Sequence, residues 1–257
     1  MNNLFNIISH KIVFFCILSI YLFPVSHASS QHENNTNIRI ATSSSIPPYF
    51  IKDQNKGIVA DIIKKSFETQ GYDVTFTYLS NNEIQRNLLT KHVVGAFNFP
   101  KKNSSKLYYT KPIVYYENIA VTLSENNYNI ESLSDLKGLN IGLFENAFNF
   151  LGKDLKHMVK NFKSYTEYKN QEEQVKALLK KEVDAIILEK NIFDFYYHKI
   201  EKKCSEDNPK ISKHFIFPRS ERPIAFLNKK LRNEFNKGFL KVQESGDYYK
   251  ILHKYVD

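Results

Sequence analysis

The sequence predicts an α/β protein of two lobes, each a central, mostly parallel sheet flanked by helices, joined by two hinge strands. Three observations carry that prediction. Apolar positions switch repeatedly between a period of two and a period near 3.6. The order β-α-β-α-β runs over residues 38–99, and a second α/β unit follows over 132–189. The two units are joined by short extended stretches rather than by a long Pro-, Gly- or Ser-rich linker, which suggests a hinge crossed twice.

The chain opens MNNLFNIISHKIVFFCILSIYLFPVSHASS. Lys11 precedes an uncharged run from Ile12 to Val25, and Ser26-His27-Ala28 fits a small-residue cleavage site. That order reads as a secretory signal peptide over residues 1–28. The run falls short of the roughly 20 residues that span a bilayer. Cys16 lies inside it, behind Phe14 and Phe15, which argues against lipid modification.

Residues 38–42 (IRIAT) read as the first strand, and Ser43 to Pro48 as a turn-rich loop. From Gly57 the period changes, with Ile58, Ile62, Ile63 and Phe67 at helical spacing until Gly71. Residues 74–80 (VTFTYLS) alternate as a strand. Asn82 then caps a helix that buries Ile84, Leu88 and Leu89, and residues 93–99 (VVGAFNF) form the third strand. In the second unit, Ser132 to Leu136 is a helical turn stopped at Gly138, and residues 139–144 (LNIGLF) are a strand. Asn146 caps a helix running to about Val159, and residues 172–181 form a helix burying Val175, Leu178 and Leu179. Residues 183–189 (VDAIILE) are apolar enough for a strand covered on both faces. Helices over 229–244 and 247–255, joined at Gly246, end the chain. The expected links are 117–124 (ENIAVTLS) and 223–229 (PIAFLNK), which places one lobe at 29–120 with 225–257 and the other at 121–224.

Lys and Arg number 36 against 27 Asp and Glu, a formal net charge of +9. The lysines are scattered among Asn, Glu and Tyr without an arginine-rich run, so the surplus reads as a solvated basic surface and not a nucleic-acid site. Cys204, in KKCSEDNP, is the one cysteine beyond the signal segment, so no internal disulfide can form. His92, His157, His198, His214 and His253 are dispersed without metal-ligand spacing, and no cofactor is expected.

The ordered landmarks are the PPYF loop, Gly57 opening a helix that holds Asp61, YYTKPI, SLSDLKGLNIGLF, LLKKEVDAIILE and the C-terminal SGDYYKILHKYV. In this order they resemble the family 3 extracytoplasmic solute-binding proteins of the polar amino-acid type, over essentially all of the chain after the signal segment. The resemblance implies a type II periplasmic binding fold whose lobes close on a small polar, amino-acid-like or amine-bearing ligand. It implies a monomer in the periplasm that delivers its ligand to an ABC permease in the inner membrane.

Family members carry an arginine in the loop after the third strand, where it forks onto the ligand carboxylate. Here that position falls near Asn103, and Lys101, Lys102 and Lys106 are the cations nearby. Each reads equally as part of a wet loop. The second lobe's first helix follows Phe144-Glu145-Asn146-Ala147 in place of the family's Gly-Ser or Gly-Thr pair; Asn146 keeps a capping group there, and Glu145 would repel an anion. Glu189 stands where the family holds the ligand's amino group, with Lys190 as the alternative partner for its charge. Tyr49, Phe97 and Asn98 complete the expected site, the phenylalanine reading equally as core. A binding protein without enzymatic activity is the leading reading. A dehydratase of the cyclohexadienyl type, with Glu189 or Glu145 moving a proton, and a sensory or degenerate module without a transporter remain as alternatives.

Overall fold

The computed structural model describes residues 36–42, 45–99, 106–202 and 209–256. Residues 1–28, expected to be a signal peptide, Cys204, and the expected site residues Lys101, Lys102 and Asn103 lie outside the described residues.

The chain begins with β1 (Thr36–Thr42), α1 (Ile58–Glu68) and β2 (Tyr72–Tyr78). Ile58, Ile62, Ile63 and Phe67, the helical-period positions, are all fully buried. Taking each such side chain out of water contributes roughly 1.5–3 kcal/mol. No side chain caps α1. Its first N–H groups donate instead to the preceding loop, Ile58 to the Pro48 carbonyl at 2.9 Å and Val59 to that of Tyr49 at 3.1 Å. Gly57, at φ 134°, permits this approach, because a Cβ there would lie 2.4 Å from the Tyr49 carbonyl oxygen. The PPYF loop is thereby pressed onto the helix, and Tyr49 is buried.

Next come α2 (Asn81–Leu89), β3 (Gly95–Phe97), β4 (Tyr108–Tyr109) and β5 (Val114–Tyr116). The cap of α2 is Ser80, not Asn82: its hydroxyl accepts from the Glu83 N–H while the Glu83 carboxylate accepts from the Ser80 N–H. Ile84 and Leu88 are buried as expected, but Leu89 is 77 % exposed. Successive helical residues point about 100° apart, and Leu88 already occupies the inward face.

The chain continues through β6 (Asn118–Leu123), β7 (Asn140–Phe144), α3 (Ala147–Leu151), α4 (Lys153–Met158) and β8 (Ser164–Tyr168). The single helix expected from Asn146 to Val159 is broken at Gly152, whose φ of 93° is incompatible with helix. Asn146 occupies the cap position without a side-chain cap bond, because its backbone is left-handed (φ 61°) and not in the extended conformation that folds a cap back. Then follow α5 (Gln171–Leu179), β9 (Ala185–Glu189), α6 (Lys190–Glu201), β10 (Ile211–His214), β11 (Ser220–Arg222), β12 (Ile224–Phe226), α7 (Lys229–Glu244) and α8 (Asp247–Val256). Every residue of β9 is buried.

Among the described residues the strands form two five-stranded sheets, ordered β2-β1-β3-β12-β4 and β10-β6-β9-β7-β8. Each has a parallel three-stranded part, β2-β1-β3 and β9-β7-β8, extended by antiparallel strands. A separate antiparallel ribbon pairs β5 with β11. Only Glu117 separates β5 from β6, and only Pro223 separates β11 from β12. The ribbon therefore makes both crossings. This corrects the expected links: residues 118–123 sit inside the second sheet and 224–226 inside the first, because their apolar side chains are long enough runs to be buried there.

α7 packs along α1, where Gly238 brings the helices together: a Cβ on it would lie 1.9 Å from the Ser66 carbonyl oxygen. Asp61 is a tether for α8, its carboxylate accepting from Tyr255 at 2.7 Å and from Lys254 at 2.8 Å.

Candidate functional site

A cavity of about 370 Å³ opens where the ribbon meets the two sheets. Its lining comes from the C-terminal ends of parallel strands: Ser45 and Ile46 after β1, Asn98 after β3, Phe144 of β7, Tyr168 of β8 and Glu189 of β9. Carboxyl ends of strands are where open α/β sheets leave a crevice, since the helices returning from them diverge to either side. Tyr116 and Arg222 line it from the ribbon.

Glu189 is 3 % exposed. One carboxylate oxygen accepts the Ile192 N–H at 3.1 Å, so the side chain caps α6, and the other accepts the Glu117 N–H at 3.3 Å. The Tyr49 hydroxyl also donates to it. Those bonds, with a further one from the Asn191 N–H, favour the charged form, yet burial outweighs them and raises its pKa from 4.5 to about 7. Lys190 is not its partner: that ammonium bonds Asp194 at 3.1 Å, and Asp194 also bonds Lys213. A carboxylate this poorly neutralised beside a cavity is able to hold a cation, and equally to exchange a proton near neutral pH.

Arg222 is half-buried, and its guanidinium lies 4.4 Å from the centre of the Tyr116 ring. The stacking follows from register. Arg222 pairs with Val114, so Tyr116, two residues along β5, shares its face. Burial pushes the guanidinium pKa down, opposed by Tyr116, Tyr49 and Glu189. Phe144 and Phe150, also on the lining, have ring centres 6.1 Å apart, with Tyr168 beside Phe144 in the sheet, and Phe150 is 62 % exposed. The remaining charges on the lining are Glu145 and Lys169.

Of the expected residues, the structure brings Asn98 and Glu189 together on this cavity. Tyr49 stands behind the lining, 1 % exposed, with its ring 4.5 Å from that of Tyr116 and its hydroxyl accepting from Asn191 at 2.9 Å. Phe97 packs against Phe50 in the core, as strand alternation allowed. Asn146 is exposed beside the lining residue Glu145, its N–H donating to Glu167. Lys106 borders a different groove, of about 790 Å³, with Leu88, Leu89, Phe99 and Leu107. Sequence reasoning missed Arg222 and the aromatic wall. The signal for Arg222 was its place directly before the returning link, where the topology must carry it to the junction of the sheets.

Three solved structures show how widely this architecture is shared. An ancestral arginine-binding protein bound to arginine aligns with a TM-score of 0.64 at 21% identity, over 88% of this chain and 100% of its own. An ancestral amino acid-binding protein, a precursor of cyclohexadienyl dehydratase, aligns at 0.64 with 17% identity, over 86% of this chain and 96% of its own. A histidine kinase sensor domain with similarity to periplasmic binding proteins aligns at 0.64 with 15% identity, over 86% and 96%. At such identities these likenesses establish the fold. No curated protein matches the chain. The match to a family model is more telling, because it spans residues 38–257 and so takes in both sheets, the ribbon and the cavity: the chain belongs to the bacterial extracellular solute-binding proteins, family 3.

Proposed function

We propose that the protein is a periplasmic receptor that closes two lobes on a small polar, amino-acid-like or amine-bearing ligand and delivers it to an ABC permease in the inner membrane. The lobes follow the expected division, 29–120 with 225–257 and 121–224, moved by a few residues so that β6 belongs wholly to the second and β12 wholly to the first, and a signal peptide over 1–28 exports them. One observation carries the reading: the cavity at the β5/β11 ribbon, lined by both sheets and bordered by Glu189. A ligand bridging the two walls would favour the closed arrangement by its differential affinity for it. Glu189 is the group that would meet an ammonium, and the aromatic wall would enclose the apolar part of the ligand.

A thermal-shift screen of the chain without residues 1–28 tests this, using amino acids, polyamines, opines and organic acids. Any tight ligand raises Tm by mass action. A flat screen favours the degenerate or sensory reading and removes the transport role.

A second reading has an observation of its own. A carboxylate raised to about 7 suits proton transfer, as a dehydratase needs. Against it, the oxygens of Glu189 are held by Ile192, Glu117 and Tyr49. Incubation with prephenate and arogenate, followed for dehydrated product, decides between them.

A further inference from the structure

We propose that Arg222, carried on the β5/β11 ribbon, is the anion-binding group of the cavity and grips a carboxylate of the ligand. The inference rests on the binding-protein reading and specifies its ligand class: a compact carboxylate with an apolar or aromatic body, amine-bearing where Glu189 is engaged.

Four observations support it. Arg222 lines the cavity, so its side chain reaches the space a ligand would fill. Its donors are poorly used: Nη1 makes one long bond of 3.3 Å to the Glu221 carbonyl, and among the described residues the buried Nε has no partner. A buried donor without an acceptor carries a desolvation cost that an anion docking on the guanidinium would relieve by drawing the group into full hydrogen bonding. Arg222 is in no ion pair with a described carboxylate, whereas the neighbouring Arg219 is paired with Glu117 at 2.8 Å. The two arginines, three residues apart, are thus used differently, one spent on the protein's own acid and the other kept for the cavity.

Position and shape narrow the ligand further. The Tyr116 ring, 4.4 Å from the guanidinium, packs against one side of it, and the planar fork suits the two-oxygen edge of a carboxylate. Phe144, Phe150 and Tyr168 also line the cavity, and an apolar body would rest against them. Lining charges of both signs, Glu145 and Glu189 against Lys169 and Arg222, match a zwitterion better than a simple anion.

The test compares wild type with Arg222→Gln and Arg222→Lys, each checked for folding by its ligand-free Tm and circular dichroism. The probes are the standard L-amino acids and the same compounds as α-carboxamides, screened by thermal shift and followed by calorimetry. We expect at least one acid to bind the wild type while its amide does not. Its Kd should rise about 30-fold or more in Arg222→Gln. Arg222→Lys, with charge but no fork, should fall between them. An acid bound equally by wild type and Arg222→Gln, or an amide bound as well as its acid, overturns the role of Arg222 while leaving the binding function intact. If no probe shifts any of the three proteins, the proposal fails together with the reading beneath it.

Discussion

Replacing Glu189 by glutamine separates the electrostatic cost of this carboxylate from its structural role. Burial raises its pKa from 4.5 to about 7, so the folded state favours the protonated acid. For a group whose folded pKa lies above its unfolded one, the stabilising contribution is complete below about 4.5 and is lost as pH rises through about 7. The difference between those two values corresponds to about 3 kcal/mol. No discount for solvent is needed, since the side chain is 3 % exposed. Glutamine does not titrate. It offers one acceptor oxygen where glutamate gave two, so either the Ile192 or the Glu117 N–H loses its partner, a penalty of roughly 1 kcal/mol that does not vary with pH. Urea unfolding of both ligand-free proteins at several pH values supplies the comparison. Other groups titrate in the same window, including His214, whose burial lowers its pKa, but they are common to both chains and cancel. The expected outcome is that the variant gains on the wild type by up to about 3 kcal/mol between pH 4.5 and 7. Two profiles that stay parallel across that range refute the assignment of a raised pKa to the buried Glu189.

Two further predictions concern the packing around the site. Tyr49→Phe removes a hydroxyl that accepts from Asn191 and donates to Glu189; it should cost about 1–2 kcal/mol in urea unfolding and steepen the fall of stability with rising pH, since the lost bond is one that lowers the Glu189 pKa. Gly238→Ala places a Cβ within 1.9 Å of the Ser66 carbonyl oxygen, so α1 and α7 must move apart, with a loss of about 1–3 kcal/mol and a lower Tm.

The fold was legible wherever a periodicity and its terminator agreed. Ile58, Ile62, Ile63 and Phe67 gave α1 its buried stripe, and the unbroken apolar run of β9 is buried along its whole length. Gly246 falls between α7 and α8, as its lack of helix propensity suggested. Local chemistry was misread where two signals competed. Ser80 reads as the last residue of an alternating strand, and its partnership with Glu83 three residues later was the stronger signal for a capping box. Asn146 has the right side chain for a cap and the wrong backbone, which sequence does not disclose. The site was legible only in part. Of the expected residues, Glu189 and Asn98 lie on the cavity, one ending a strand and the other directly following one, which are positions that sequence marks. Tyr116 and Phe150 reach the cavity through tertiary placement that no local pattern marks, and Arg222 was marked only by its place before the returning link.

The ribbon explains why the missing loop arginine and the unexpected Arg222 belong to one argument. Glu117, the single residue between β5 and β6, donates its N–H to Glu189 and pairs its carboxylate with Arg219. Tyr116, just before it, stacks on Arg222, and Pro223, just after Arg222, accepts the Asn98 N–H at 3.1 Å. Of the four charged residues on the lining, Glu189 and Arg222 are therefore fastened to the two crossings. In a receptor that draws its anion contact from a loop of one lobe, the ligand first binds that lobe and then recruits the other. Under the reading proposed here, the ligand would instead engage the connection itself, and a change at Arg222 would alter closure as well as affinity. An arginine on the ribbon also needs no counterpart after the third strand, because a second guanidinium there would compete for the same carboxylate. Under that reading, a chain with no arginine between residues 87 and 218 leaves the anion contact to β11.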